Sequence, residues 1–283
     1  MKTAALFDID NTLTPPREPL QAEMVTILSR LRVPFHVAAG SDLPLIKDQF
    51  LEPLLRFGFR GQFEAFLSNG AIHYRCDYSE TMSIQVVSAF NIREYLGEDD
   101  YEFLMSVLKR TLEDTGYQLS PNLKVLGDRI VDRGSMINLA PIGRLTQETA
   151  ESFANRKTFV EFDSETGYRK KILNHLQKEL ARLIDQKQLS ITLGGQTSFD
   201  IGVVGKDKTN SVRTLVTKGY EKVIFFGDAL FEGGNDHVMQ KFVNEWKGPG
   251  QCPLETVQVK GWKDTIDKLY EYEFLDRGTK SLA

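Results

Sequence analysis

Residues 3–14 read Thr-Ala-Ala-Leu-Phe-Asp-Ile-Asp-Asn-Thr-Leu-Thr, an apolar run that ends at two aspartates, Asp8 and Asp10. The apolar run 4–7 is bounded by polar residues and predicts a short buried strand. In an open parallel sheet, ligands bind outside the carboxyl ends of the strands. The sequence therefore predicts a pair of carboxylates at the edge of the sheet where such folds have their active sites.

The same pattern of an apolar run followed by polar residues recurs along the chain. Three further runs show it: 35–39 ends at Ser41 and Asp42, 63–67 ends at Asn69, and 223–226 ends at Asp228. Between the first two runs, Met24, Ile27 and Leu28 have the spacing of a helix with one buried face. Short strands that alternate with helices predict a parallel sheet covered by helices on both faces.

The middle of the chain has a different organisation. Helices are predicted near 98–115, 146–154 and 165–187, and strands at 122–131, 135–140, 190–194 and 198–204. This α+β segment interrupts the regular alternation of strand and helix. We therefore predict a core domain made of residues 1–84 and 200–283, with residues 85–199 inserted as a second domain.

The polar groups at the predicted strand ends suit phosphoryl transfer. Crowded carboxylates repel one another unless a cation or a proton lies between them, and Mg²⁺ prefers oxygen ligands. Asp8 could attack phosphorus, and Asp10 could transfer the proton. Lys208 and the hydroxyl of Ser41 could bind phosphoryl oxygens. Any one of these residues could instead be a helix cap or a turn former, so the ordered set carries the interpretation.

Together these motifs resemble those of the haloacid dehalogenase superfamily. The matching positions are Asp8-Ile9-Asp10-Asn11-Thr12, then Ser41, then Lys208, and finally Asp228 with Asn235 and Asp236. The short first interval and the long second interval between motifs resemble the type IIB members. The resemblance implies a Rossmann-like, doubly wound α/β core with an inserted α+β cap domain of the C2 type.

Within that superfamily, the chain resembles the eukaryotic-type phosphomannomutases at 7–17, 136–144, 194–201 and 225–237. The resemblance implies that Asp8 is the nucleophile and Asp10 the acid and base, with Ser41 and Lys208 as further catalytic groups. It implies Mg²⁺ ligands at Asp8, the Asp10 backbone carbonyl and Asp228, with Asn235 and Asp236 from the same motif. Substrate contacts are expected from Arg17, Arg133, Arg144, Ser198 and Asp200.

The chain departs from the family pattern after Arg144. Where the family has a further phosphate-binding arginine, this sequence has Ala150 or Glu151. Two reactions therefore stay open: interconversion of mannose 6-phosphate and mannose 1-phosphate through an aspartyl-phosphate, or hydrolysis of a sugar phosphate. A non-catalytic phosphosugar-binding protein is a third alternative. The residues do not distinguish mannose from glucose.

Composition limits the partners of the protein. The 283 residues include 35 Lys and Arg against 39 Asp and Glu, a net charge of −4, which disfavours nucleic acid and anionic membranes as ligands. The apolar runs are shorter than the ~20 residues that span a bilayer. Two distant cysteines, Cys76 and Cys252, do not indicate a disulfide framework. We expect a cytoplasmic enzyme with a hexose phosphate substrate, and the family resemblance leaves a homodimer through the cap as an open option.

Overall fold

The structure is a computed structural model that describes residues 2–16, 18–145, 149–232 and 234–276. The chain divides into two compact units. The first, Met1–Ala89 with Gly205–Ala283, is called the core unit. The second, Phe90–Val204, is called the cap unit. Strands and helices are numbered along the whole chain.

A seven-stranded sheet forms the centre of the core unit. Its strands are β1 (Thr3–Phe7), β2 (Phe35–Ala38), β3 (Gln62–Leu67), β4 (Ile72–Asp77), β5 (Ser83–Ala89), β10 (Lys222–Gly227) and β11 (Leu254–Gln258). Their order is β11-β10-β1-β2-β3-β4-β5. The first five strands in this order are parallel, while β4 and β5 extend the sheet in antiparallel pairing.

Helices cover both faces of this sheet. They are α1 (Ala22–Leu28), α2 (Leu43–Ile46), a π-helical turn (Lys47–Leu51), α3 (Glu52–Arg56), α9 (Thr209–Thr217), α10 (His237–Asn244) and α11 (Trp262–Glu271). Successive side chains of a strand point to opposite faces. Phe7 accordingly packs in one apolar cluster with α1 and α11, whereas Leu6 packs in another with α9 and α10.

The cap unit has an antiparallel sheet with the order β6-β7-β9-β8. Its strands are β6 (Asp128–Asp132), β7 (Ile137–Arg144), β8 (Leu189–Gly194) and β9 (Ser198–Val203). Its helices are α4 (Ile92–Leu96), α5 (Glu98–Glu113), α6 (Ala150–Thr166), α7 (Tyr168–Glu179) and α8 (Ala181–Lys187), with a 3₁₀ turn at Thr115–Tyr117. One apolar cluster, which includes Leu139, Phe159 and Phe199, forms the core of this unit.

The predicted fold class, a doubly wound α/β core with an α+β insertion, is confirmed. The units meet at 89/90 and 204/205, five residues later at each junction than the predicted 84/85 and 199/200. The hydrogen-bonded ladders account for the difference. β5 pairs with β4 of the core sheet as far as Ala89, and β9 pairs with β8 of the cap sheet as far as Val203.

Three predicted elements of the cap unit differ from the observed ones. The helix predicted at 146–154 begins at Ala150, where Thr149 and Ser152 form a reciprocal cap, and it continues to Thr166; residues 146–148 lie outside the described part. The helix predicted at 165–187 is two helices, α7 and α8, separated at Leu180. The strand predicted at 122–131 begins only at Asp128, because Leu123 reaches the apolar core from a turn.

Within the described ranges, no helix combines the length and apolar character that crossing a membrane requires.

Candidate active site

The candidate active site lies where β1 and β10 end, side by side in the core sheet. Phe7 of β1 is in register with Phe226 of β10, and the main-chain N–H of Asp8 donates to the Phe226 carbonyl at 2.9 Å. Asp8 and Asp228 therefore leave neighbouring parallel strands at the same edge. This is the edge at which open α/β sheets bind ligands.

Lys208 connects two buried aspartates at this edge. Its Nζ donates to Asp8 Oδ1 at 2.8 Å and to Asp236 Oδ1 at 2.5 Å. The three residues are almost fully buried, with 1% of Lys208 and 3% of Asp8 exposed. Lys208 directly precedes α9 and Asp236 directly precedes α10, so the starts of two helices bring these groups to the end of β1.

Three carboxylates in this cluster fit a divalent cation. Asp8, Asp228 and Asp236 each offer an oxygen, and these oxygens lie within 4.8 Å of one another. Three ionised carboxylates around the single ammonium of Lys208 leave an excess of negative charge, which is costly in a buried site. A hard divalent cation takes oxygen ligands and would neutralise that excess. The donor chemistry and the charge therefore both suit a metal ion of this class.

Burial controls the protonation of the cluster. It raises the pKa of Asp8 to about 7 against the opposing charge of Lys208, and the neighbouring carboxylates of Asp236 and Asp228 add to the rise. Burial also raises the pKa of Asp228. A 2.9 Å hydrogen bond from Asn11 Nδ2 to the Asp228 carboxylate opposes this rise. Burial alone would lower the pKa of Lys208, but Asp236 and Asp8 outweigh it and raise this pKa. A bound cation would favour the ionised Asp8 that a nucleophile requires.

The close approach of Asp236 also depends on the backbone of β10. A Cβ atom at Gly227 would overlap the Asp236 carboxylate. Because only glycine leaves this space empty, Gly227 lets Asp236 pack against the strand end beside Asp8.

Asp10 has a separate set of contacts. Its Oδ1 accepts a hydrogen bond from Gln49 Nε2 at 3.0 Å, and the same Nε2 donates to Thr14 Oγ1 at 3.0 Å. Asp10 also forms an isolated backbone bridge with Thr14. In the described part of the chain, the group of three carboxylates does not include the Asp10 side chain. Gln49 and Thr14 therefore both contribute to the position of Asp10 in the loop after β1.

Ser41, Asn235 and Arg17 complete the set predicted for the core unit. Ser41 is half-buried after β2, the neighbour of β1, and its carbonyl accepts from the Ser68 N–H at 2.9 Å. Asn235 is exposed and directly precedes Asp236. Arg17 lies outside the described residues. The roles predicted for these three residues stay predictions.

A pocket in the cap unit contains two of the four substrate-binding residues predicted there. Arg144, the last residue of β7, and Ser198, the first residue of β9, line it together with Arg156 and Asn155 of α6. The Ser198 hydroxyl donates to the Gly194 carbonyl at 2.7 Å and accepts from Asn138 Nδ2 at 3.1 Å. Two guanidinium groups are suited to an anion such as phosphate, whereas the Ser198 hydroxyl already donates its hydrogen to Gly194.

The other two predicted cap residues do not line this pocket in the described structure. Asp200 Oδ1 accepts from Asn138 Nδ2 at 2.8 Å, so Asn138 links it to Ser198. Arg133 is exposed in the turn between β6 and β7, where its N–H donates to the Met136 carbonyl at 2.9 Å. The pocket therefore does not test the substrate contacts predicted for Asp200 and Arg133, and these contacts stay predictions.

Sequence reasoning did not assign a role to Arg156 or Gln49. Arg156 lies one helical turn after Ser152, and helical spacing would have placed both on one face. The helix predicted from the sequence ended at 154, however, so Arg156 fell outside it. Gln49 lies in a π-helical turn, which has no periodic sequence signal of its own.

Known proteins resemble this chain in sequence and in fold. The family model described as eukaryotic phosphomannomutase matches residues 22–270. The chain is 34% identical to the phosphomannomutase of Spinacia oleracea over 236 residues, which cover 82% of this chain and 84% of that protein. It is 31% identical to phosphomannomutase 2 of Dictyostelium discoideum over 238 residues, which cover 83% and 85%.

A solved structure with a similar fold is the IMP-bound, N-terminally truncated IMP-nucleotidase of Plasmodium falciparum. The TM-score is 0.57 at 17% sequence identity, with 96% of this chain and 68% of that chain covered. At this identity the likeness concerns the fold alone, and it agrees with a haloacid dehalogenase-type core plus cap. The predictions of the superfamily and of an enzyme are confirmed, and the chain belongs to the eukaryotic phosphomannomutase family.

Proposed function

We propose that this protein is an Mg²⁺-dependent phosphotransferase that interconverts mannose 6-phosphate and mannose 1-phosphate through a phosphorylated Asp8. The observation that carries the proposal is the cluster of buried Asp8, Lys208 and Asp236 with half-buried Asp228 at the carboxyl edge of the core sheet. Family membership supports a reaction of this class, and the cluster supplies groups that can perform it.

Asp8 is the group that attacks phosphorus. Lys208 holds Asp8 Oδ1 at 2.8 Å and keeps a positive charge beside the incoming phosphoryl oxygens. Mg²⁺, held by Asp8, Asp228 and Asp236 with the main-chain carbonyl of Asp10, would neutralise phosphate charge. The enzyme's own residues therefore contribute chiefly position and charge to phosphoryl transfer.

Asp10 transfers the proton in this scheme. When phosphate moves from the sugar to Asp8, Asp10 protonates the departing sugar oxygen. When phosphate returns to the other hydroxyl, Asp10 removes the proton from that hydroxyl. One carboxylic group can serve in both directions because the two steps are chemically the reverse of each other.

The cap pocket suits a phosphate group of a hexose phosphate. A hexose bisphosphate carries two phosphates, and each of them needs cationic partners. Arg144 and Arg156 line the pocket with Ser198, and a guanidinium group can bind phosphate oxygens in pairs. We propose that Arg156 supplies the cation that is absent at Ala150 and Glu151. Arg17, Arg133 and Asp200 stay proposed contacts of the sugar phosphate.

A sugar-phosphate phosphatase is the second candidate function. Glu151 Oε1 forms an ion pair with Lys124 Nζ at 2.7 Å, so this segment presents a carboxylate where the family has an arginine. A hexose monophosphate that is held weakly would leave before it accepts the phosphoryl group from Asp8. Water would then hydrolyse the aspartyl-phosphate and release inorganic phosphate.

A coupled assay separates the two functions. The protein is incubated with Mg²⁺, mannose 1-phosphate and a catalytic amount of hexose bisphosphate, and both mannose 6-phosphate and inorganic phosphate are measured. The proposal predicts formation of mannose 6-phosphate in excess of inorganic phosphate, and loss of both in Asp8→Asn. Inorganic phosphate without mannose 6-phosphate would instead establish the phosphatase. Glucose 1-phosphate in a parallel reaction determines the sugar preference.

A further inference from the structure

Gln49 is a buried polar residue to which the mechanism above gives no role. Only 7% of it is exposed, and it lies in the π-helical turn Lys47–Leu51 between α2 and α3. Phe50 and Leu51, the next two residues, are fully buried in the core cluster. A buried amide in such a place requires polar partners, because an unpaired donor would be costly.

The π-helical turn explains how Gln49 and its two apolar neighbours all face inward. In a regular helix the buried stripe is about 100° wide, which three consecutive residues exceed. A π turn contains more residues, so successive side chains are rotated by a smaller angle. Single π turns inside helices occur frequently at functional sites. The π-helical turn directs the Gln49 side-chain amide to the loop after β1, while Phe50 and Leu51 stay in the apolar core.

The side-chain amide nitrogen of Gln49 donates hydrogen bonds to two residues of the loop after β1. Its two hydrogens match two acceptors, Asp10 Oδ1 and Thr14 Oγ1, each at 3.0 Å. Thr14 Oγ1 in turn donates to the Ile9 carbonyl at 3.2 Å. Gln49 therefore links the Asp10 carboxylate to the buried π-helical turn, and it also binds the Thr14 hydroxyl of the same loop.

We propose that Gln49 is a positioning residue for Asp10, which fixes the carboxylate in the orientation for proton exchange with the sugar oxygen. The inference rests on the proposed function, because it concerns the proton transfer assigned to Asp10. A general acid contributes to the rate only when its oxygen lies within hydrogen-bonding reach of the reacting atom. A carboxylate that loses this hydrogen bond is held less firmly and is less often in that position.

The test replaces Gln49 by side chains that cannot make the same donation to Asp10. Gln49→Met keeps the approximate length without a donor, and Gln49→Asn keeps the amide but shortens the side chain. For both variants we expect kcat to fall about 10- to 100-fold and KM to change less than about twofold, as for a misplaced catalytic group. Steady-state mutase kinetics with saturating hexose bisphosphate measure this split.

A fluoroberyllate adduct at Asp8 serves as the control for folding. The adduct mimics the phosphoryl group and forms in the presence of Mg²⁺ without proton transfer to a sugar oxygen. Fluorine NMR should therefore show the adduct in Gln49→Met and Gln49→Asn at wild-type beryllium and fluoride concentrations. Loss of the adduct in both variants would mean that Gln49 supports the fold of the site, and the inference would be overturned.

Thr14→Val separates positioning of Asp10 from support of the loop. This variant removes the second acceptor and leaves the hydrogen bond between Gln49 and Asp10. We expect its kcat to stay within about threefold of the wild type, well above that of Gln49→Met. An equal loss in Thr14→Val, or wild-type kcat in the Gln49 variants, would overturn the inference. Failure of the proposed function is distinguishable, because the unmodified protein would then show no mutase turnover.

Discussion

Lys208 is the residue around which the acidic groups of the core unit are arranged. It is 1% exposed and donates to Asp8 and Asp236, whose carboxylates raise its pKa. The lysine therefore stays cationic and compensates part of the negative charge of the site. A neutral residue at this position would leave buried carboxylates without their partner, which costs more than the ion pair itself contributes.

Arg156 should contribute to phosphate binding in the cap pocket. Replacement by alanine removes a guanidinium group from the wall that Arg144 and Ser198 share. Because a charged hydrogen bond contributes about 1.5–3 kcal/mol, we expect the KM for hexose phosphate to rise about tenfold or more. We also expect more inorganic phosphate per mannose 6-phosphate, since a weakly held hexose monophosphate leaves the phosphorylated Asp8 open to hydrolysis by water.

Lys157→Ala is the matched control for Arg156→Ala. Lys157 is the next residue of α6 and is exposed, and its replacement by alanine removes the same positive charge. Its kinetics should equal those of the wild type. If the two variants behave alike, the effect belongs to the net charge of the helix and the pocket assignment is wrong.

His36 makes the stability of the core unit depend on pH. Burial lowers its pKa to about 4, the Glu64 carboxylate opposes this, and Lys218 adds to it. The geometry agrees, because Nδ1 accepts from the Glu64 N–H at 3.0 Å while Nε2 lies 3.2 Å from the Tyr220 hydroxyl. The folded state therefore holds His36 neutral.

Because the pKa of His36 is lower in the folded protein than in the unfolded chain, neutral His36 stabilises the folded state at pH values above its pKa in the unfolded chain. That contribution is complete above about pH 6.5 and is lost as the pH falls towards about 4. Between about pH 7 and about pH 5 we expect the free energy of unfolding to fall by about 2 kcal/mol on account of His36. Urea unfolding of the wild type and of His36→Asn, which keeps an acceptor and does not titrate, measures the difference. Parallel pH profiles for the two proteins would refute this role for His36.

At the scale of elements, the sequence predicts best those strands that are buried on both faces. β1, β2, β3 and β10 are predominantly apolar and buried, and the runs at 4–7, 35–39, 63–67 and 223–226 locate them within a few residues. β5, at the sheet edge, has no such signal because its residues are half-buried or exposed. The length of α6 was also missed, since only Asn155 and Phe159 of this helix are buried.

The turn before Arg144 should determine the position of that arginine. Gly143 has a φ of 79°, and a Cβ atom there would lie 2.5 Å from the Leu126 carbonyl oxygen. Alanine therefore requires both a left-handed backbone and displacement of the neighbouring chain. We expect Gly143→Ala to lower the free energy of unfolding by about 3 kcal/mol and to raise the KM for hexose phosphate.

Gly167→Ala provides the comparison for Gly143→Ala. Gly167, between α6 and α7, also has a positive φ, 62°, but a Cβ atom there would have no neighbour within 4 Å. The left-handed conformation alone should cost about 1 kcal/mol and leave KM unchanged. Thermal unfolding and kinetics of both variants check this, and equal effects would show that the backbone contact at Gly143 is unimportant.

At the scale of the whole molecule, the fold brings together residues that are far apart in the chain. β10 pairs with β1, so Asp228 lies next to Asp8, and α9 adds Lys208. Sequence reasoning could find these residues because each one follows a strand or begins a helix. It could not find Gln49 or Arg156, because their roles depend on an irregular helical turn and on the exact end of a helix.

The two units differ in how far their chemistry can be predicted. In the core unit, a strand order common to many α/β proteins places the motif residues at one edge. In the cap unit, pairing of β7 with β9 brings Asn138 opposite Asp200, and α6 adds Arg156 to the pocket wall. Those contacts depend on side-chain packing rather than on a motif, so only the structure reveals them.

Identification of the phosphorylated residue tests the central claim most directly. The protein is mixed with Mg²⁺ and hexose bisphosphate, quenched during turnover and treated with borohydride, which reduces an aspartyl-phosphate to homoserine. Peptide mass spectrometry should find homoserine at position 8 in the wild type and at no position in Asp8→Asn. Modification of a different carboxylate, or an unmodified Asp8 in protein that is turning over substrate, would contradict the account.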